Sequence, residues 1–212
     1  MFTGIVQALC EVVEVDDLDG VRRLTVDLGE HADGLELGAS VANNGTCLTA
    51  ASISGDLVRF DVIAETVALT NLRDIAVGDR VNIERSMKFG DELGGHILSG
   101  HVSGTIEVVD IEADGANRTM WFSVDSEFMQ YLMWKGWIAI DGASLTISRL
   151  DRETNRVGVS LIPETLERTT LGGFEVGSTA NLELDAQTQT IVETVRTMLQ
   201  DPGMIELVTR AS

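Results

Sequence analysis

Cysteine and proline are scarce in this chain, with two of each in 212 residues. Two cysteines, Cys10 and Cys47, make no disulfide framework at this size, so a packed core must carry the fold. Few prolines, 44% hydrophobic residues and ordinary charge density exclude a disordered chain. No apolar run approaches the ~20 residues of a membrane span, and no charged-then-apolar leader is visible. The expectation is a soluble, cytoplasmic protein with no membrane role. Basic residues are also few, 15 against 34 acidic ones, for a net charge of −19. Such a surface repels nucleic-acid backbones and anionic lipid. Aromatic residues, at 5%, supply too few stacking platforms for a barrel that binds single-stranded nucleic acid. An acidic surface also suits a salty cytoplasm.

What the chain does have is a long internal repeat, residues 1–84 echoed by 97–183. Thr3-Gly4-Ile5-Val6 returns as Ser99-Gly100-His101-Val102, 96 residues on. Asn44-Gly45-Thr46-Cys47-Leu48-Thr49 returns as Asp141-Gly142-Ala143-Ser144-Leu145-Thr146, and Asp61-Val62-Ile63-Ala64-Glu65-Thr66 as Ser160-Leu161-Ile162-Pro163-Glu164-Thr165. Asn82-Ile83-Glu84 returns as Asn181-Leu182-Glu183. A period this long marks domains rather than a solenoid.

Each copy reads as short strands punctuated by turn signals. In the first, strands are expected at 5–15, 23–28, 39–42, 48–52, 57–63 and 80–84, with a short irregular or helical piece at 30–37 and two helical turns at 65–72. In the second they fall at 103–111, 120–124, 137–140, 145–150 and 157–162. A middle helix is expected there, capped by Ser126, faced by Phe128, Tyr131, Leu132 and Met133, and ended at Lys135-Gly136. Six or so short strands per copy predict a small closed barrel. The fold class is all-β with minor α: two tandem, internally duplicated small barrels, at 1–86 and 98–184, joined by a glycine-rich linker at 87–97. Residues 185–212 add an amphipathic helix and tail, with Asp185 as N-cap and Ile191, Val192, Val195, Met198 and Leu199 as its stripe. The stripe packs either on the chain's own barrel or on another copy.

Duplicated barrels suggest duplicated pockets for two related ligands. Matched polar positions support this: Thr49 with Thr146, Glu65-Thr66 with Glu164-Thr165, Asn44 with Asp141. Both Glu-Thr pairs fall where a strand meets a helix N-terminus, rich in free N–H groups. Plain capping and turn chemistry would place the same residues. Differences between copies point to catalysis. His101 replaces Ile5, Ser144 replaces Cys47 and Lys135 falls at Gly38, adding groups that move protons or stabilise charge. Cys10 aligns with Ile106 and reads as a buried hydrophobe. His96 and His101 lack further ligands at zinc spacing, and no phosphate loop or dinucleotide fingerprint is present.

Met1-Phe2-Thr3-Gly4-Ile5-Val6, the Asn-Gly-Thr-Cys-Leu-Thr block, Gly94-Gly95-His96, Ser99-Gly100-His101-Val102, Asp141 to Thr146 and Leu161-Ile162-Pro163-Glu164-Thr165 resemble the riboflavin synthase family, from Met1 to near Leu199. The resemblance implies dismutation of two 6,7-dimethyl-8-ribityllumazine molecules. One donates a four-carbon unit to the other, giving riboflavin and 5-amino-6-ribitylamino-2,4-pyrimidinedione, with no metal or redox cofactor. It implies two six-stranded Greek-key barrels followed by a C-terminal helix, assembled as a homotrimer whose active site joins the first barrel of one subunit to the second of its neighbour, with lumazine synthase as a partner in some relatives. The residues it assigns to catalysis are His101, Ser144, Thr146 and Cys47, assisted by Lys135 and Ser40. Those it assigns to substrate are Gly4, Ile5, Val6, Cys47, Leu48, Thr49, Asp61, Val62, Ile63, Ala64, Glu65 and Thr66 in the first copy. In the second they are Gly100, His101, Val102, Lys135, Ser144, Leu145, Thr146, Leu161, Ile162, Pro163, Glu164 and Thr165. Lumazine proteins share the barrels, bind a fluorophore without chemistry, and would be expected to lose His101, Ser144 and Thr146, which are intact here.

Overall fold

The computed structural model describes residues 1–201 and forms two closed antiparallel barrels of six strands each. The first contains β1 (Ala8–Leu18), β2 (Val21–Asp27), β3 (Ser40–Asn43), β4 (Thr46–Ser54), β5 (Leu57–Ile63) and β6 (Arg80–Arg85). The second contains β7 (Gly104–Asp114), β8 (Asn117–Ser123), β9 (Trp137–Ile140), β10 (Ala143–Asp151), β11 (Arg156–Leu161) and β12 (Thr179–Leu184). Around the first barrel the order is β1-β2-β5-β4-β3-β6, and the second follows the same Greek-key cycle. Helix α1 (Ala64–Leu69) follows β5, α2 (Pro163–Arg168) follows β11, and α3 (Ala186–Gln200) ends the described chain. The expected tail at 202–212 lies outside the described residues.

Alternation sets which face goes inward. In β5, Val58, Phe60 and Val62 are buried while Leu57, Asp61 and Ile63 are exposed. Closure needs local bending, and the ladder slips between Val12 and Glu14 and between Ala50 and Ser52. Slips recur at the matching places, Val108/Asp110 and Ile147/Arg149, so the repeat extends to its bulges. Cys10 is buried in the first core, as its alignment with Ile106 predicts, and burial with Asp27 nearby pushes its thiol up to about 11.

Three local expectations change. β1 begins at Ala8 rather than Ile5, because Gly4 turns with φ +74° and leaves the ladder. The two helical turns at 65–72 split: α1 ends at Thr70, whose hydroxyl donates to the Thr66 carbonyl, and a 3-10 turn, Asn71–Arg73, follows. The middle helix of the second copy is one 3-10 turn, Met129–Tyr131, with no side-chain cap from Ser126. Burying Met129 and Leu132 takes one turn, and Met133 and Trp134 then face outward.

Helix α3 is capped as expected, with Asp185 accepting from the Thr188 N–H at 2.9 Å. It touches the second barrel through Glu193, which accepts a hydrogen bond from the Tyr131 hydroxyl. None of its residues is fully buried, and Ile191, Val195 and Leu199 stay exposed.

Candidate functional site

The two barrels meet turn to turn. Asn44-Gly45 and Asp141-Gly142 both adopt left-handed backbone, with φ of 45°, 77°, 46° and 77°, as the β3–β4 and β9–β10 hairpins require. Gly45 and Gly142 abut so closely that a Cβ on Gly142 would lie 2.8 Å from Gly45 Cα. Asp141 is buried and accepts from Asn71 Nδ2 at 2.9 Å, the Asn181 N–H at 2.8 Å and the Thr170 hydroxyl at 3.0 Å. Burial outweighs those bonds and pushes its carboxyl up to about 7. Asn44 and Asp141, which had suggested ligand contacts, thus belong to the seam.

Beside the turns, residues 2 and 98 pair as an antiparallel bridge, and Phe2, Leu98, Ala42 and Ala139 form a small core of their own. Each segment that follows then crosses to the opposite barrel. The Gly4 carbonyl accepts the Ser144 N–H at 2.8 Å, and the Gly100 carbonyl accepts the Cys47 N–H at 2.9 Å. Only glycine fits at either place: a Cβ on Gly4 would sit 2.5 Å from Ser144 Cβ, and one on Gly100 2.5 Å from Cys47 Cβ. Both segments are anchored by buried carboxylates. Glu84 accepts from the Thr3 N–H and hydroxyl at 2.6 and 2.7 Å and from the Gly4 N–H at 3.0 Å. Glu183 does the same for Ser99, at 2.7 Å for both groups, and for the Gly100 N–H at 3.1 Å. Burial raises both carboxyl pKa values, opposed by these bonds.

Two surface shelves result, one on each side of the seam. On the first, Cys47 and Thr49 face outward from β4, next to Ser40, which pairs with Thr49. The Ala50–Phe60 pairing brings the start of β4 beside the end of β5, where Asp61, Ile63, Ala64 and Glu65 are exposed. Gly100 and exposed His101 complete this shelf. On the second, Ser144 and Thr146 face outward from β10, beside Ile162, Pro163 and Glu164 and the crossing Gly4-Ile5. Leu48, Val62, Leu145 and Leu161 point into the barrels, and Val102 is buried, so they offer a ligand backbone only. Val6 packs against the second core. Thr66 and Thr165 are half-buried, their carbonyls accepting from the Thr70 and Thr169 hydroxyls.

Sequence comparison grouped His101, Ser144 and Lys135 as gains of the second copy; the fold distributes them. His101 joins the Cys47 shelf. Lys135, left-handed at φ 65° like Gly38 at 84°, bonds through its N–H to Ile147, three residues and about 10 Å along β10 from Ser144. Its ammonium rests over the Trp134 ring at 5.5 Å. Asp61 is engaged by Arg23 on β2 at 2.8 Å, a bond that lowers its pKa, and Glu164 pairs with Arg168 one turn on.

One residue the copy comparison missed is His96. Its Nδ1 lies 2.7 Å from Ser144 Oγ, its ring stacks on Trp137 at 5.4 Å, and Nε2 is buried with no partner among the described residues. Burial lowers its pKa, against a pull upward from Asp185, so the neutral ring is favoured. Gly95 makes room, since a Cβ there would lie 2.4 Å from the Thr3 carbonyl and 2.6 Å from Ser144 Cβ. His96 precedes the start of the second repeat and has no counterpart in the first; its signal was the Gly-Gly-His run.

Clefts of the single chain lie mostly elsewhere. One of about 600 Å³ is lined by Asn44, Asn71, Asp141, Thr169 and Thr170, groups already hydrogen-bonded in the seam. Another of about 370 Å³ touches the second shelf only through Thr3 and Ile5. The shelves are open surfaces, with Ile5 49%, Ile63 56% and Ile162 57% exposed.

The lumazine binding domain family matches this chain twice, at residues 3–86 and 99–185. Riboflavin synthase of Escherichia coli (strain K12) is 51% identical over 201 residues, 94% of this chain and 93% of its own. The chain belongs to the riboflavin synthase family. Riboflavin synthase of Chlamydia pneumoniae is 44% identical over 204 residues, covering 96% of this chain and 99% of its own. Among solved structures, LumP complexed with riboflavin superposes with a TM-score of 0.80 at 28% identity, over 87% of this chain and all of LumP. LumP complexed with 6,7-dimethyl-8-(1'-D-ribityl) lumazine gives 0.78 at 28%, over 86% of this chain and 98% of that one. Family membership thus rests on both repeats, the same two that build the shelves.

Proposed function

We propose that this chain is a riboflavin synthase, joining two molecules of 6,7-dimethyl-8-ribityllumazine by transfer of a four-carbon unit to give riboflavin and 5-amino-6-ribitylamino-2,4-pyrimidinedione. The observation that carries this reading is the pair of shelves with one plan and unequal side chains, in a chain 51% identical to the Escherichia coli enzyme. One substrate used twice needs two similar sites, and opposite roles need the sites to differ. The unit one ring loses the other gains, so the atoms balance within the two substrates.

Holding two ring systems face to face replaces a bimolecular encounter by fixed geometry, worth up to about 7–11 kcal/mol in well-oriented cases. On the first shelf, His101 would take a proton from a ring methyl group and Cys47 would assist addition at the neighbouring ring carbon. On the second, Ser144 and Thr146 would hydrogen-bond the ring, with His96 fixing the Ser144 hydroxyl. The helix starts at α1 and α2 and the outward backbone of β4 and β10 would hold ring carbonyls and ribityl hydroxyls.

A homotrimer in a cytoplasmic setting, with the first shelf of one subunit facing the second shelf of its neighbour, completes the reading. Openness of both shelves and the uncovered stripe of α3 support it, and Lys135 would then act toward a neighbour's substrate. Domain limits of 1–86, 98–184 and 185–212 around a linker at 87–97 fit this arrangement, and lumazine synthase would be an optional partner. The test is direct: pure protein mixed with the lumazine should develop riboflavin fluorescence with nothing else added. Tight binding without turnover would favour a non-catalytic lumazine or flavin binder instead.

A further inference from the structure

We propose that Glu183 is a positioning residue for His101, so that the last strand of the second barrel sets the geometry of the shelf on the first; this rests on the reading that His101 works on a bound lumazine. Glu183 is 5% exposed on β12. It takes the Ser99 N–H and hydroxyl at 2.7 Å and the Gly100 N–H at 3.1 Å. The Ser99 hydroxyl, while donating to Glu183, accepts the His101 N–H at 3.1 Å. One residue on, the Gly100 carbonyl is fixed by the Cys47 N–H at 2.9 Å. His101 is therefore held from the second barrel through Ser99 and registered against Cys47 through Gly100, while its ring stays exposed. A charged acceptor with several donors is stronger and stiffer than a neutral one, and a buried carboxylate in a small domain is costly unless its bonds are used.

The chain contains its own control. Glu84, 4% exposed on β6, makes the same bonds to Thr3 and Gly4, and the Thr3 hydroxyl accepts the Ile5 N–H at 3.3 Å. The pin is thus duplicated, but it holds an imidazole on one side of the seam and an isoleucine on the other. A purely structural role makes the two pins equivalent; a positioning role does not, because Ile5 has no proton to move.

The full-length protein with Glu183→Gln, Glu84→Gln, Ser99→Ala or Ser99→Thr tests this. Glu183→Gln should lower kcat by about tenfold to a hundredfold, the range a misplacement near 1 Å produces, with KM little changed. Glu84→Gln should raise KM and weaken riboflavin binding more than it lowers kcat. Ser99→Ala, which leaves the buried carboxylate in place, should lower kcat in the direction of Glu183→Gln. Ser99→Thr, which installs the first barrel's residue, should retain activity. Hydrogen exchange read by mass spectrometry should quicken at 99–102 in Glu183→Gln and at 3–6 in Glu84→Gln. Equal kcat losses in the two glutamine variants, or exchange at 99–102 unchanged in Glu183→Gln, would overturn the proposal. If the unmodified protein forms no riboflavin, the functional reading fails instead, and exchange still reports whether the pin exists.

Discussion

Asn82 on β6 and Asn181 on β12 make the same pair of bonds across the seam in opposite directions. Asn82 Nδ2 donates to the Asp141 carbonyl at 2.8 Å while its Oδ1 accepts the Thr170 N–H at 2.8 Å. Asn181 Nδ2 donates to the Asn44 carbonyl at 2.8 Å while its Oδ1 accepts the Asn71 N–H at 2.7 Å. Each such bond is worth about 0.5–1.5 kcal/mol net, but leaving one partner buried and unmet costs more. The seam therefore holds as a set.

Gly142→Ala tests the turn-to-turn contact. Gly142 and Gly20 share φ +77°, but Gly20 has open space where its Cβ would be and Gly142 has Gly45 Cα at 2.8 Å. Gly20→Ala should cost only the left-handed backbone, about 1–2 kcal/mol. Gly142→Ala should cost at least ~2 kcal/mol more, seen as a larger drop in melting temperature. Equal drops would mean the seam yields freely.

Asp141→Asn tests the buried charge. The folded carboxyl, at about 7 against an ordinary 3.8, keeps its proton where the unfolded one has lost it. Its contribution to stability is full below about pH 4 and lost as pH rises through 7. The neutral amide removes that loss, so Asp141→Asn should melt higher than the parent at pH 8. A net gain of ~1 kcal/mol would read as about 2–4 °C. The advantage should shrink towards pH 5, and a pH-independent difference would contradict the account.

His96→Ala, Ser144→Ala and their double variant test the hydroxyl–imidazole contact. Residues joined by one hydrogen bond act as a unit. Each single change should lower turnover by about tenfold or more, and the double change should add little. Multiplying losses would show the two working separately.

Deleting everything after Asp185 should lower the assembled mass seen by light scattering to monomers or barrel-paired dimers. An unchanged mass would remove α3 from assembly and leave its exposed stripe to other partners.

The sequence was informative where burial follows period two, as at Leu57–Ile63, and at the short apolar run Trp137–Ile140, buried on both faces; the limits of both match the strands formed. It misled at 128–133, where apolar residues at helical spacing serve one 3-10 turn. Glu84 and Glu183 were visible as a repeated residue but had no stated role. Alternation reads a strand carboxylate as solvated, whereas β6 and β12 are buried on both faces, one by the barrel and one by the seam. The crossing of Gly4 to Ser144 and Gly100 to Cys47 left no one-dimensional trace, because it depends on how the barrels dock. Comparing copies also assigns side chains to the copy that carries them, which is why His101 was grouped with Ser144 instead of Cys47.

That crossing makes the repeat self-complementary. Each copy offers a glycine corner and receives one, as in a two-fold symmetric dimer, but both halves here lie on one chain. In a dimer of separate identical repeats, a substitution at one corner would appear at both. Joining the halves covalently frees the two corners to diverge, so an imidazole can stand on one side and an isoleucine on the other without disturbing the contact that holds them together.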